Sequence, residues 1–154
     1  MTEHAGVLIV EGRFYTDIAD EMAKGAIAEL DKAGVTYRRV AVPGAFEIPA
    51  VVRYAVRARE VGADAGQFGG FVTLGCVIQG ETDHYNHICR ETSRALMDLS
   101  VQYSLALGFG ILTCPSYELA MARASVTRGN KGAAAALACL RMMDLKRDFR
   151  LVMR

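Results

Sequence analysis

The sequence has no excess of charge of either sign. Its 154 residues include 18 lysines and arginines and 17 aspartates and glutamates, for a formal net charge of +1. A chain so close to neutrality gives no electrostatic reason to expect a nucleic acid or an anionic membrane as its partner. It also lacks any apolar run approaching the roughly 18 residues of a membrane span, and residues 1–10 lack the features of a secretion signal. We therefore expect a cytoplasmic protein without membrane or nucleic-acid partners.

The sequence lacks the closely spaced cysteines of a metal-thiolate site. Its cysteines are scattered, as is typical of reduced thiols in a cytoplasm, at Cys76, Cys89, Cys114 and Cys139. His84 and His87 have the i, i+3 spacing of two metal ligands, but no third ligand of matching spacing accompanies them. The sequence therefore predicts no metal site, and we expect His87 to cap a helix or to pack.

The chain also lacks any internal repeat, linker or low-complexity tract that would divide it. A length of 154 residues allows one well-buried domain and not two ordinary ones. Its 52% hydrophobic residues and 15 glycines are typical of a compact globular protein. We therefore expect a single domain over residues 1–154.

What the sequence does contain is an alternation of short apolar runs with helix-patterned segments. Strands are predicted at residues 7–10, 37–42, 71–78 and 109–113. The first helix should end before Gly34, and it carries an apolar stripe formed by Ile18, Met22, Ala26 and Leu30. Because the strands are almost continuously apolar, they predict a parallel sheet covered on both faces. The expected fold is an α/β three-layer α/β/α sandwich, flavodoxin-like in size, with about four strands.

The other segments complete this alternation. Further helices are predicted at 50–59, from near His87 to Gly108, from Ser116 through Arg123, and from about Lys131 to about Lys146. The glycine-rich segment 61–70 is predicted to be a surface loop. The last helix contains GAAAALACLRMM, which is apolar around most of its circumference, and such helices are usually buried on all sides. We expect another subunit to cover part of it.

Aromatic and polar side chains follow three of the predicted strands. Phe14 follows the first strand, residues 45–47 (Ala-Phe-Glu) follow the second, and residues 81–84 (Glu-Thr-Asp-His) follow the third. In an open parallel sheet, ligands bind beyond the carboxyl ends of the strands, where helix N-termini point their N–H groups outward. The stretch GCVIQGETDHYN at 75–86 is therefore interpreted as the active-site strand, and the whole edge as a site for a planar polar molecule.

Two of these residues are difficult to explain by a purely structural role in the fold. Glu47 lies in an otherwise apolar loop, where a carboxylate needs donors such as ligand hydroxyls. An imidazole ordinarily titrates near neutrality, as proton transfer requires, so His84 is the candidate acid–base group, although a loop histidine without function is the alternative.

Other candidates have an equally good structural interpretation. An isolated phenylalanine such as Phe14 is more often part of the core, and Arg123 and Lys131, taken singly, are ordinary surface cations. Cys114 precedes Pro115 and could be a nucleophile, but nothing near it in the sequence clearly activates the thiol.

Six motifs occur in order along nearly the whole chain. They are RFY at 13–15, PGAFEIP at 43–49, GCVIQGETDHYNHI at 75–88, FGILT at 109–113, the EL-A-AR-A frame around Arg123, and GNKG at 129–132. Together they resemble the 6,7-dimethyl-8-ribityllumazine synthase family. The resemblance implies a cofactor-free condensation of 5-amino-6-(D-ribitylamino)uracil with 3,4-dihydroxy-2-butanone 4-phosphate. Such a reaction releases phosphate and water and is the penultimate step of riboflavin biosynthesis.

The resemblance also implies how the two substrates are held. Phe14 would stack on the pyrimidine ring, Glu47 would bind the ribityl hydroxyls, and His84 would donate and shuttle protons. Ala45 and Phe46 would also bind the pyrimidine substrate. Backbone groups of four residues would contact the same ring, namely Cys76, Val77, Ile78 and Phe109.

The phosphate is assigned in the same way. The resemblance implies that Glu81 and Thr82 hold it through their backbone, that Arg123 supplies the counter-charge, and that Lys131 lies near the substrates. It also implies a homo-oligomer, a pentamer or an assembly of pentamers. Phe109 opens the predicted fourth strand, at the opposite end from the other site residues, so we expect each site to be shared between neighbouring subunits.

Three features depart from the commonest family pattern. Thr113-Cys114-Pro115 stands where Thr-Thr-Asp/Glu is usual, Phe14-Tyr15 replaces a Phe-Asn pair, and segment 61–70 is longer than in many members. Two other classes of function stay open. A flavodoxin-like module could bind a flavin at the same strand ends, and a structural shell protein would keep the apolar last helix without needing the polar site residues.

Overall fold

The computed structural model describes residues 6–63 and 67–151, most of which lie in strands or helices. The strands are β1 (Gly6–Gly12), β2 (Tyr37–Val42), β3 (Phe68–Ile78) and β4 (Leu107–Cys114). The helices are α1 (Thr16–Lys32), α2 (Ile48–Glu60), α3 (His84–Gln102), α4 (Tyr117–Ala124) and α5 (Lys131–Asp148). A short 3₁₀ turn, Ala45–Glu47, leads from β2 into α2.

The strands form one parallel sheet in the order β2-β1-β3-β4. Helices α1, α4 and α5 pack on one face and complete one hydrophobic cluster, whereas α2 and α3 pack on the other face and complete a second. The predicted three-layer, flavodoxin-like sandwich is therefore confirmed. Because the strands all run in one direction, the segments that follow them emerge at a single edge of the sheet.

Helix α1 is formed as its sequence pattern predicts. The four residues of its apolar stripe are at most 1% exposed, and they are Ile18, Met22, Ala26 and Leu30. After the helix ends at Lys32, Gly34 adopts a φ of +67°, a left-handed conformation that glycine accepts without strain. The stripe and the glycine stop together fix this helix against the sheet.

Predicted boundaries of β1, β3 and β4 are wrong, and β4 runs from Leu107 to Cys114 instead of over 109–113. Strand β1 continues through Glu11 to Gly12, because the buried Glu11 carboxylate is paired with arginines and does not end the strand. Strand β3 begins at Phe68, so the last three residues of the predicted loop 61–70 belong to the sheet. Residues 64–66 of that loop lie outside the described part of the chain.

The predicted limits of the third helix are also wrong. Helix α3 begins at His84 and ends at Gln102, before the predicted stop at Gly108. Gly108 instead lies in β4, where a side chain would overlap the backbone carbonyl of Ala135 in α5. The glycine permits a close strand–helix approach and does not end a helix.

The last helix buries one face against its own chain. The residues of α5 that are most buried are small, and they are Gly132, Ala133, Ala135, Ala136 and Cys139. Leu137 and Met142 of the same helix remain 51% and 42% exposed. Much of the apolar circumference is therefore covered by α1 and the sheet, and cover by another subunit stays a prediction for the rest. Within the described residues, none of the helices has the length and apolar character needed to cross a membrane.

We expect Gly132→Ala to destabilise the fold strongly. A Cβ at this position would overlap the backbone carbonyl of Met22, and backbone atoms cannot yield as a flexible side chain can. Overpacking of this kind costs roughly 1–3 kcal/mol, and we expect the upper part of that range. The measurement is urea unfolding at a fixed protein concentration. Gly80→Ala is the matched control, since a Cβ there meets no atom within 4 Å; equal losses in both variants would contradict the prediction.

Candidate active site

A cleft of about 580 Å³ lies at the edge where β1, β2 and β3 end and α3 begins. It brings together several residues that the sequence predicts for the site: Phe14, Ala45, Phe46, Glu47, Cys76, Val77, Ile78 and His84. The structure adds further lining residues: Tyr15, Pro43, Gly44, His87 and Ile88. Most of these five lie beside the predicted residues in the same motifs. Their place in these motifs was the sequence feature that could have identified them as lining residues.

Phe14 is a surface residue of this cleft and not part of the core. Its side chain is 73% exposed, and its ring meets the Tyr15 ring edge-on, with centroids 4.9 Å apart and an interplanar angle of 77°. Burial raises the pKa of the Tyr15 phenol above its ordinary value. The structure therefore presents one aromatic ring to the cleft and supports it with a second.

The loop that carries Phe14 is anchored by a buried ion-pair cluster that the sequence analysis missed. Glu11, only 2% exposed, accepts hydrogen bonds from Arg39 at 2.6 and 2.9 Å and from Arg13 Nη1 at 2.8 Å. Arg13 also pairs with Asp20 of α1, and its backbone N–H donates to the Val42 carbonyl at 3.0 Å. Hydrogen bonding to Glu11 raises the pKa of the Arg39 guanidinium. A carboxylate inside an apolar strand was the one available signal for this cluster.

We expect Glu11→Gln to cost about 1.5–3 kcal/mol of unfolding free energy, because the buried carboxylate loses its charge-assisted hydrogen bonds, while the arginines left behind are partly exposed to solvent. Guanidinium chloride unfolding would measure the loss. Glu91→Gln is the matched control, since Glu91 also pairs with an arginine, Arg94, at 2.6 Å, but on the exposed surface of α3. Exposed pairs contribute little, so the control should unfold like the unsubstituted protein. Equal stability of the two variants would show that the Glu11 cluster is not needed for stability.

Glu47 lies on the 3₁₀ turn, half-buried at the wall of the cleft. Its Oε1 atom accepts a hydrogen bond from the Gly44 backbone N–H at 3.0 Å, which closes the turn. The sequence analysis expected the Glu47 carboxylate to need hydrogen-bond donors, and its own loop supplies one of them. No described residue donates a hydrogen bond to Oε2, so this second oxygen is available for a ligand hydroxyl.

The floor of the cleft is the end of β3, and it is apolar. Burial raises the pKa of the Cys76 thiol to about 12, so this side chain is uncharged at neutral pH. Gly75 lets the 3₁₀ turn approach closely, since a Cβ there would lie 3.3 Å from Ile48 Cδ1 and 3.4 Å from Ala45 Cβ. A flat apolar molecule can therefore lie on this strand while its polar edge meets backbone groups.

His84 is the first residue of α3 and lies at the cleft's rim, where it is exposed. Its backbone N–H donates to Thr82 Oγ1 at 3.3 Å, which orders the turn before the helix. Glu81 and Thr82 precede this helix and are exposed. The first N–H groups of a helix have no partner within the helix, and they attract anions. The rim of the cleft thus carries an imidazole on the first residue of a helix.

Five predicted residues do not line this cleft: Glu81 and Thr82, which precede α3, and three residues that lie further away. Phe109 is 46% exposed and is the third residue of β4, not its first as predicted; it pairs with Thr73 in the middle of the sheet. It lines a separate cleft of about 370 Å³ between β4 and α3. Lys131 begins α5 and is exposed. One described chain therefore does not bring all the predicted residues together.

Arg123, the third of these residues, contacts Cys114. Its Nη1 atom donates to Cys114 Sγ at 3.1 Å. Cys114 is fully buried at the end of β4, so its sulfur is inaccessible to a substrate in this conformation, which argues against the nucleophile interpretation. Within the described residues, no group of three or more His, Cys, Asp and Glu side chains is placed to hold a metal ion, although His84 and His87 both face the cleft.

The chain matches known proteins over nearly its whole length. A family model described as 6,7-dimethyl-8-ribityllumazine synthase matches residues 4–147. A 6,7-dimethyl-8-ribityllumazine synthase of Paramagnetospirillum magneticum is 51% identical over 147 residues, covering 96% of this chain and 98% of the relative. A 6,7-dimethyl-8-ribityllumazine synthase 1 of Rhizobium meliloti is 54% identical over 142 residues, covering 91% and 90%. The relative from Nitrobacter hamburgensis is 49% identical over 143 residues, covering 93% and 86%.

Proposed function

Since the chain belongs to the 6,7-dimethyl-8-ribityllumazine synthase family, whose reaction it catalyses, we infer that the cleft between β1, β2, β3 and α3 is its active site. The enzyme condenses 5-amino-6-(D-ribitylamino)uracil with 3,4-dihydroxy-2-butanone 4-phosphate to 6,7-dimethyl-8-ribityllumazine and releases phosphate and water. The observation that carries the assignment of the site is that aromatic, carboxylate and imidazole groups from three separate strand ends line one cleft.

The pyrimidine substrate is assigned to the aromatic half of the cleft. In this proposal the exposed Phe14 ring stacks on the pyrimidine, and Ala45 and Phe46 close over it. Residues 76–78 meet the ring's polar edge through their backbone, because the thiol and alkyl side chains there are apolar. Glu47 accepts hydrogen bonds from the ribityl hydroxyls through Oε2, since its Oε1 already accepts from Gly44.

The phosphate of the second substrate is assigned to the start of α3. Backbone N–H groups at Glu81 and Thr82 and at the first turn of the helix hold an anion, which the helix dipole also favours. Arg123 supplies a charge-assisted hydrogen bond, and Lys131 a further positive charge. In this arrangement the phosphate is held as it becomes the leaving group.

His84 is assigned the proton transfers. The aryl amine of the pyrimidine attacks the ketone carbonyl, and the carbinolamine loses water to give an imine after its hydroxyl is protonated. Phosphate is then eliminated with loss of a carbon-bound proton, and the resulting enol tautomerises to a ketone. The second amine attacks this carbonyl, and a second water leaves as the ring closes. Each step moves a proton that a nearby imidazole can donate or accept. Much of the acceleration comes from holding both substrates together, so this mechanism needs no cofactor.

The active site is completed, in our proposal, by a neighbouring subunit of a homopentamer. Phe109 pairs with Thr73, which lies three residues before Cys76 of the cleft, or roughly 10 Å along the strand. Strand β4 forms the edge of the described sheet and carries Phe109, and its last residue contacts Arg123. A neighbour that brings its own cleft to this edge would meet both side chains. A cytoplasmic location completes the proposal.

The direct test of the site is to mix the purified protein with both substrates and follow lumazine fluorescence. Glu47→Gln should weaken binding of the pyrimidine because it removes the carboxylate charge while keeping the side chain's length. Omitting either substrate is the control for background. Unchanged kinetics in the Glu47 variant would place the pyrimidine elsewhere, and a yellow, flavin-loaded preparation without turnover would favour the flavin-binding alternative.

Arg123→Ala should raise KM for the butanone phosphate roughly ten- to a hundredfold, because hydrogen bonds to charged groups contribute about 1.5–3 kcal/mol. The KM for the pyrimidine should change much less, since that substrate has no phosphate. Arg128→Ala is the control, because Arg128 is also an exposed arginine near the end of α4. Equal increases in both KM values would show that Arg123 has a structural role only.

A further inference from the structure

Arg123 is held from two sides. Its helix, α4, is fixed to the sheet by Ala120 and Ala124, which are both fully buried. The turn after α4 presses Gly129 against the Arg123 backbone so closely that a Cβ on Gly129 would lie 2.7 Å from Arg123 Cα. The Gly129 N–H also donates to the Ala122 carbonyl at 3.0 Å. These contacts fix the point from which the long arginine side chain extends.

The guanidinium at the other end of the side chain rests on a second fixed point, Cys114. The Cys114 sulfur accepts from Arg123 Nη1 at 3.1 Å. Cys114 itself is immobilised: it is fully buried, pairs with Ile78 in the sheet, and accepts a hydrogen bond from the Gln79 N–H at 2.9 Å through its carbonyl. The acceptor therefore does not adjust to the arginine, and the arginine adopts the direction that the acceptor sets.

We propose that Cys114 is a positioning residue that holds the Arg123 guanidinium ready for the phosphate of the butanone substrate. The inference rests on the proposed function, in which Arg123 binds that phosphate. An exposed arginine has many rotamers, and ordering it on binding reduces affinity; a contact formed beforehand removes part of that loss. A thiol suits this role because it accepts a hydrogen bond without the full charge of a carboxylate, so the arginine keeps its positive charge for the phosphate.

The test compares Cys114→Thr with Cys114→Val. The two side chains have nearly the same shape and both suit a strand, but only threonine offers an acceptor. We expect the valine variant to raise KM for the butanone phosphate roughly three- to tenfold, on the scale of one lost hydrogen bond. Its kcat and its KM for the pyrimidine should stay near those of the unsubstituted protein, and the threonine variant should restore the KM.

A second measurement separates positioning from general damage. In an Arg123→Ala background, Cys114→Val should have no further effect on KM, because the guanidinium it positions is gone. Cys139→Ala is the matched control, since Cys139 is also fully buried but its thiol lies against the Ala106 carbonyl, at 3.7 Å. The proposal is overturned if valine and threonine behave alike, or if the valine effect persists without Arg123.

Binding of inorganic phosphate, measured by calorimetry, tests Cys114 without turnover. The valine variant should bind phosphate roughly three- to tenfold more weakly than the threonine variant, the same factor as the expected change in KM. If the unsubstituted protein forms no lumazine, the proposed reaction fails, while the phosphate comparison still decides the role of Cys114. If lumazine forms normally and both variants bind phosphate equally, the Cys114 proposal alone fails.

Discussion

Replacement of His84 by alanine is expected to lower kcat roughly ten- to a thousandfold while leaving both KM values within a few-fold of their original levels. Imine formation and phosphate loss each need a proton at a defined atom, and His84 is the imidazole at the rim of the cleft, at the first position of α3. Substrate binding depends on other groups, so the enzyme should still hold both substrates in contact. The rate that remains in the variant would show how much of the acceleration comes from holding the two substrates together. Single-turnover fluorescence at saturating substrate would measure the loss without interference from product release.

His87→Ala is the matched control for this prediction. His87 is the same residue type, lines the same cleft and lies one helical turn after His84. We expect a much smaller fall in kcat, because His87 lies further from the anion-binding end of the helix. A normal kcat in the His84 variant would refute the proton-transfer role of His84. An equal fall in kcat in both variants would show that the role does not belong to His84 alone.

Much of the fold could be predicted from the sequence because the signals are local. The apolar run of β4 and the stripe of α1 each lie within a short stretch of sequence, and their burial follows from their own pattern. The meeting of residues from three strand ends could be predicted as well, since strand ends of a parallel sheet share one edge whatever their order in it. This is why Phe14, Glu47 and His84 reach one cleft although they lie far apart in the chain.

The boundaries that were wrong depend on contacts between distant residues. Segment 61–70 resembles a loop because of its glycines, yet Gly70 lies in β3, where a Cβ would lie 2.6 Å from Cys139 Sγ and 2.7 Å from Met143 Sδ. The glycine makes room for α5 and does not form a turn. Glu11 stays in β1 because Arg39, which is 28 residues away in the chain, neutralises it. A single sequence gives no direct signal for either contact.

The contact between Arg123 and Cys114 depends on the structure in another way. The sequence shows that Cys114 departs from the usual family residue, but it does not show what the side chain touches. The two residues are nine positions apart in the chain, and only the turn from β4 into α4 brings their side chains to 3.1 Å. A role for Cys114 could therefore be proposed only once the structure showed that its side chain contacts Arg123.

Co-expression of a Phe14→Ala variant with an Arg123→Ala variant is expected to restore activity well above that of either variant alone, when it is measured at a butanone phosphate concentration far below the raised KM of the Arg123 variant. In the proposed ring, each site takes the cleft of one chain and the β4 edge of the next, which is a heterologous interface. Phe14 belongs to the cleft, whereas Arg123 contacts the last residue of β4. With random mixing in equal amounts, about a quarter of the sites would combine two intact faces. The mixed assemblies should therefore reach roughly a quarter of the unsubstituted rate.

The decisive control pairs Phe14→Ala with His84→Ala. Both residues line the cleft of one chain, so every site in a mixed ring contains one defective cleft, and no activity should return. Native mass spectrometry would verify that the chains have mixed in both experiments. Restoration in the first pair and not in the second requires Arg123 to act on a neighbour's cleft, because a site built within one chain could never combine the two intact faces. Mixed assemblies as inactive as either parent would place Arg123 in the same chain's site as Phe14.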